Sequence, residues 1–241
     1  MAQVILITSG KGGTGKSTVC AGLGISLARL GHRVLLAEGG RRSLDVQFGL
    51  DETVLFDRSD LAQGRCEKGD ALLALPGQEN LRLLCGPLEA AAPADTAFCR
   101  RLAAGYGPLF DFILVDVDGL PEENLAPWAA IAQRAVLVCT PERAGARLCR
   151  QVSDFLAAQG MEDIRLCVNM LPDDFSVRRT VPDLDWMIDN ICAQLIAVIP
   201  LDRELFCGQA GVRDGLPNIP RLIFDHFAQR ILGKYIDLWL Q

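Results

Sequence analysis

Apolar and polar positions follow two rhythms along the chain. Short continuous apolar runs occur at Val4 to Thr8, Val34 to Ala37, Leu81 to Cys85, Phe110 to Asp116, Ala135 to Cys139, Ile164 to Val168 and Leu195 to Ile199. Runs of this length without polar alternation predict strands buried on both faces. Between them apolar residues recur at helical spacing. Val19, Leu23, Leu27 and Leu30 predict a helix over Lys16 to Leu30, which Gly31 stops. Further helices are predicted over Asp95 to Ala104 (from an acidic cap), Glu122 to Ile131, Ala144 to Ala158, Leu184 to Ile191 and Arg221 to Leu232. Strands alternating with helices predict an α/β fold, a doubly wound, predominantly parallel sheet with helices on both faces. The first strand, helix and second strand form a βαβ unit whose strands are neighbours or near neighbours. Gly40 to Pro76 and Pro172 to Pro182 follow neither rhythm and read as connections or partner-facing surface.

Length and composition narrow this picture. The chain has 241 residues, room for one large core, so residues 1–241 are expected to form a single domain. A formal charge of -6 argues against a non-specific nucleic-acid binder. The first residues do not read as a signal peptide, and no apolar run approaches the about 18 residues of a membrane span. A cytoplasmic location is therefore expected. None of the nine cysteines is spaced as CxxC, and several sit in apolar runs such as VLVCT, so they read as reduced structural thiols. With His32 and His226 as the only histidines, a histidine-rich metal site is excluded. The pairs Arg41-Arg42 and Arg178-Arg179, and Arg65, read by default as solvated surface.

The chemistry concentrates in Gly10-Lys11-Gly12-Gly13-Thr14-Gly15-Lys16-Ser17, a GxxxxGK[ST] loop directly after a strand and at a helix start. Its glycines let successive N–H groups turn toward phosphate oxygens, and the helix N-terminus adds its positive pole. Lys16 is expected to reach the β and γ phosphates, Ser17 to ligate Mg²⁺, and Thr18 to stand near the α phosphate of a purine nucleoside triphosphate, ATP. Gly10, Gly12 and Gly15 also spell GxGxxG, with Glu38 downstream where a dinucleotide site places its ribose acid. A dinucleotide loop, however, has no need of Lys16-Ser17. Asp116 ends the most apolar strand and is expected to hold the metal; Asp118 is close by.

The second lysine, Lys11, makes KGGTGKST resemble the deviant Walker A loop of the MinD/ParA family of dimerising ATPases. The tracts VILITSGKGGTGKST, SLDVQFGL, DLAQGRCEKGDAL and FDFILVD, the TPE at Thr140 to Glu142, Val168-Asn169 and Gln229 to Gly233 narrow the resemblance to the MinD branch, over nearly the whole chain. The resemblance implies a P-loop ATPase in which Lys11 crosses an ATP-dependent homodimer interface to the partner's phosphates while Lys16 serves its own. It implies Asp116 as the Walker B acid and adenine contacts from Asn169, Pro200, Leu201 and Asp202. It further implies peripheral attachment to the inner face of the cell membrane, recruitment of a division inhibitor, and release by a protein that stimulates hydrolysis.

Three departures qualify the resemblance. Where the family carries an acidic pair after the second strand, this chain reads Glu38-Gly39-Gly40, and Gly40 has no side chain to position water. Glu38 is then the available residue for organising water, with Asp45 and Asp118 as alternatives. After Asp116 the chain reads VDGLP in place of the family's Pro-Ala-Gly turn. Where the family has an amphipathic membrane-targeting helix, Lys234 to Gln241 is short and carries one lysine against one aspartate. That tail is expected to contact the membrane through Tyr235, Leu238 and Trp239, or else to pack on the domain or a subunit.

Overall fold

The computed structural model describes residues 1–88, 94–175, 182–202, 205, 216 and 218–238. Its strands are β1 (Gln3–Thr8), β2 (Val34–Glu38), β3 (Leu72–Leu75), β4 (Gln78–Leu84), β5 (Phe112–Asp116), β6 (Arg134–Cys139), β7 (Ile164–Leu171) and β8 (Gln194–Pro200). They form one sheet in the order β3-β4-β2-β5-β1-β6-β7-β8. Every pairing is parallel except β3 with β4. The helices are α1 (Lys16–Arg29), α2 (Leu44–Phe48), α3 (Arg58–Ala62), α4 (Thr96–Tyr106), α5 (Glu122–Ala129), α6 (Arg143–Ala158), α7 (Leu184–Ile191) and α8 (Asn218–Ile231).

The unbroken apolar runs have a simple cause. In β1, Ile5 and Ile7 join the core formed with α1 and α8, while Val4 and Leu6 join the core formed with α4, α5, α6 and α7. Phe112 and Leu114 against Ile113 and Val115 divide β5 in the same way. Both faces are covered, so both sets of alternating positions must be apolar. Helix α1 lies so close to α8 that a Cβ on Gly22 would stand 2.6 Å from the Phe224 ring. The βαβ unit places β1 and β2 as near neighbours, with β5 between them.

The stretch from Gly40 to Pro76 is more ordered than its pattern suggests. It holds α2, α3 and β3, the last turning back on β4 through Pro76-Gly77 as an antiparallel edge. Long-range contacts fasten it. The Arg42 guanidinium donates to Gly86 O and to Asp57, and buried Arg58 donates to Glu38 O while lying 5.8 Å over the Trp128 ring. Arg42 is thus not a solvated arginine; Arg41 and Arg65 are exposed. Arg178, Arg179, Cys207 and Trp239 to Gln241 lie outside the described residues.

Residues 234–238 do not continue α8. The Arg230 side chain donates to the carbonyls of Ile236 and Asp237 in this tail and to Ile196 O on β8. Packing on the domain is therefore the arrangement adopted by the described part of the tail, although Tyr235 remains exposed. Among the described residues no helix is long and apolar enough to cross a membrane.

Candidate functional site

Parallel register brings the C-terminal ends of the central strands to one edge. Ile7 and Glu38 both lie opposite Asp116, so the loop after β1 opens beside the tips of β2 and β5. Within this loop Gly13 and Gly15 adopt φ of 77° and 80°, left-handed values that suit glycine. The Asn169 Nδ2 donates to Thr14 O at 2.8 Å, and a Cβ on Gly15 would come 2.2 Å from that nitrogen. Gly15 is the N-cap of α1 and no side chain caps the helix there, so its first N–H groups face outward as a positive pole. The buried Thr14 hydroxyl also has no hydrogen-bond partner among the described residues.

Lys16 is the electrostatic centre. Its Nζ lies 3.0 Å from Asp116 Oδ1 and 3.1 Å from Asp118 Oδ1. Burial alone would lower its pKa, but the two carboxylates outweigh burial and hold the ammonium well above its ordinary value. Ser17 Oγ lies 3.1 Å from Ser43 Oγ, which in turn donates to Glu38 Oε1. The structure thus joins Lys16 with Asp116 and Asp118, and Ser17 with Ser43.

Glu38 departs from expectation. It is fully buried, and its carboxylate accepts from the backbone N–H groups of Ser43, Leu44 and Gly86. Burial pushes its carboxyl up to about 7, against the pull of those three N–H groups and with a further push from Asp116. The carboxylate therefore ties residues 43–44 and 86 to the end of β2. That role corrects its assignment as the group that organises water, since a side chain closed off among backbone donors does not face solvent.

The residues expected around adenine do meet. Asn169, Pro200, Leu201 and Asp202 line a cavity of about 200 Å³ at the tips of β7 and β8, which opens onto Gly13, Gly15 and Thr18. Its walls are largely apolar, as a planar base requires. Lys11 stands apart from the Lys16 cluster. Its Nζ pairs with Glu142 Oε2 at 2.8 Å, and this ion pair pulls the Glu142 carboxyl below its usual range. Glu142 received no role from the sequence: TPE is a short tract, and nothing in its spacing connects it to the loop.

These residues fit a magnesium nucleotide. The glycine loop at the uncapped start of α1, an orphaned hydroxyl and Lys16 suit an oligophosphate. The Ser17 hydroxyl and Asp116 carboxylate are hard oxygen donors of the kind Mg²⁺ takes. Two carboxylates against one Lys16 ammonium leave a negative excess that a divalent cation offsets.

Comparison with known proteins follows the same line. The family model described as the CobQ/CobB/MinD/ParA nucleotide binding domain matches residues 5–208. The chain is 31% identical to the septum site-determining protein MinD of Synechocystis, over 98% of this chain and 91% of that protein. It is 29% identical to the MinD of Bacillus subtilis, over 99% and 92% respectively. In three dimensions it resembles a chain of the MinC:MinD cell division protein complex of Aquifex aeolicus, with a TM-score of 0.88, 27% identity and 99% coverage of both chains.

Proposed function

Because the chain belongs to the MinD/ParA family of deviant Walker A ATPases and is closely related to MinD proteins of other species, we propose that it is an ATPase that binds ATP with Mg²⁺ and dimerises when it does so, in the placement of the bacterial division site. The observation that carries this reading is the continuity of the site: the apolar cavity beside Asn169 and Asp202 opens directly onto the glycine loop that ends at Lys16.

In this reading residues 1–241 act as one nucleotide-binding domain. The loop N–H groups and Lys16 hold the β and γ phosphates, Thr18 stands by the α phosphate, and adenine lies among Asn169, Pro200, Leu201 and Asp202. Ser17 and Asp116 hold Mg²⁺, which when bound neutralises charge on the phosphoryl oxygens. Lys11 leaves Glu142 for the phosphates of a second copy, which couples dimerisation to the nucleotide. The protein then works in the cytoplasm, reaching the inner face of the membrane weakly through its tail, with a division inhibitor and an activator of hydrolysis as partners.

Titration with a fluorescent ATP analogue, paired with sedimentation in ATP or ADP, tests the reading. Magnesium-dependent binding and an ATP-specific dimer are expected; absence of nucleotide binding would sink it. A second reading, an ATP-binding regulator with impaired hydrolysis, is favoured by Glu38 being closed off among backbone donors. Tight binding without single-turnover hydrolysis, even with an activating partner, selects it.

A further inference from the structure

Hydrolysis needs a group that holds the attacking water in line with the γ phosphate, and positioning is where most of the catalysis resides. Four carboxylates near the tips of β2 and β5 come into question. Glu38 is fully buried and committed to three backbone N–H groups. Asp45 is buried, accepts from the Val46 N–H at 2.9 Å and faces Arg42 at 3.7 Å. Asp116 is buried against Lys16 and is the proposed metal ligand. Only Asp118, of these four, has an open side chain, 57% exposed, and it still touches the P-loop lysine at 3.1 Å.

The placement of Asp118 answers the gap at Gly40. Among the described residues other than its two chain neighbours, a Cβ built on Gly40 would meet Asp118 Oδ2 at 3.7 Å and no other atom within 4 Å. The Asp118 carboxylate therefore stands in van der Waals contact with the position a side chain at residue 40 would take, reaching it from the neighbouring strand tip. Its other oxygen is held by Lys16, which a bound phosphate competes for. An exposed carboxylate beside that lysine retains free lone pairs for a water.

We infer that Asp118 is a catalytic residue of this chain, its carboxylate holding the water that attacks the γ phosphate, a task for which Gly40 has no side chain. The inference rests on the ATPase reading above. In the step, the water oxygen forms a bond to the γ phosphorus as the bond from that phosphorus to the β–γ bridging oxygen breaks. ADP leaves with the electron pair, and the water proton passes by way of the Asp118 carboxylate to solvent.

The test uses the full chain with Mg²⁺ and three variants: Asp118→Asn, Asp118→Ala, and Asp118→Ala combined with Gly40→Asp. The double variant removes the Asp118 carboxylate that a Gly40 Cβ would meet at 3.7 Å, which leaves room for the new side chain among the described residues. Each is measured for ATP affinity, single-turnover hydrolysis, and retention of ADP with aluminium fluoride, a mimic of the attacked phosphoryl group. Both single variants are expected to bind ATP within about threefold of the parent, to lose about 100-fold in turnover, and to fail to retain the mimic. The double variant is expected to regain about tenfold of the lost turnover and to retain the mimic again. Single variants that keep turnover and the mimic overturn the inference. So does a loss confined to ATP affinity or a shifted Mg²⁺ requirement, which would make Asp118 a phosphate or metal residue. A parent protein that binds ATP without hydrolysing it, even with an activating partner, overturns this inference and selects the regulator reading, whereas one that binds no ATP removes both readings; the single variants that keep turnover overturn this inference alone.

Discussion

Lys11 Nζ lies 2.8 Å from Glu142 Oε2, so the second lysine of the loop is held within its own chain by the N-cap residue of α6. The two side chains are 41% and 50% exposed. A pair so open to water contributes under about 1 kcal/mol and yields readily to a stronger anion. Glu142→Ala is therefore expected to leave the thermal midpoint within about 2 °C and ATP-dependent dimerisation intact or tighter. Lys11→Ala is expected to abolish that dimerisation while ATP affinity persists. Sedimentation with ATP decides; a dimer that survives Lys11→Ala removes the proposed role across the interface.

Glu38 sets a pH dependence whose sign follows from its burial. Its carboxyl is raised from an ordinary 4.5 to about 7, so the folded protein holds a proton that the unfolded chain has released. Its contribution is fully present below pH 4.5 and declines as pH rises through 7. Urea midpoints of the parent and Glu38→Ala are therefore expected to converge as pH rises from 4.5 through 7. Below pH 4.5, where the contribution is full, the variant loses about 2–4 kcal/mol, because three N–H groups lose their acceptor. A pH-independent difference between the two proteins contradicts the assignment.

Asn169 acts on the phosphate loop through one hydrogen bond, from Nδ2 to Thr14 O at 2.8 Å. Removing it frees the loop to sample conformations in which its N–H groups no longer converge. Asn169→Ala is expected to weaken ATP binding about tenfold, equivalent to about 1.4 kcal/mol. Calorimetric titration checks this, with far-UV circular dichroism to show an unchanged fold.

Arg230 clamps the tail through three carbonyls. Arg230→Ala is expected to speed amide exchange at residues 235–238 several-fold while exchange in β1 and β5 is unaffected. Hydrogen exchange read by mass spectrometry distinguishes this from general destabilisation. If vesicle binding by the tail competes with the clamp, the same variant binds anionic vesicles more tightly than the parent.

Legibility differed sharply between parts of the molecule. Helix α7 runs over Leu184–Ile191 as its pattern predicts, and the other predicted helices and strands differ only at their ends. Strand β3 and helices α2 and α3 were not legible, because α2 and α3 are too short to show a period and all three are held by Arg42, Arg58 and the β4 edge. The place of Glu38 is hidden for a related reason: the N–H groups that occupy its carboxylate come from residues 43, 44 and 86, and no local pattern announces them.

By itself the sequence determined the properties that depend on residue type at fixed short spacing: a buried parallel sheet, from apolar runs with both faces covered, and a phosphate loop, from glycines, Lys16 and Ser17 between a strand and a helix. Tertiary structure alone decided which charges meet. Lys11 and Glu142 are 131 residues apart, and Lys16 and Asp116 are 100 apart. Asp118 reaches Gly40 only because β2 and β5 are neighbours in register. Parallel pairing collects strand ends from distant parts of the chain at one edge, and the distances among them follow from register and packing, which residue spacing does not encode.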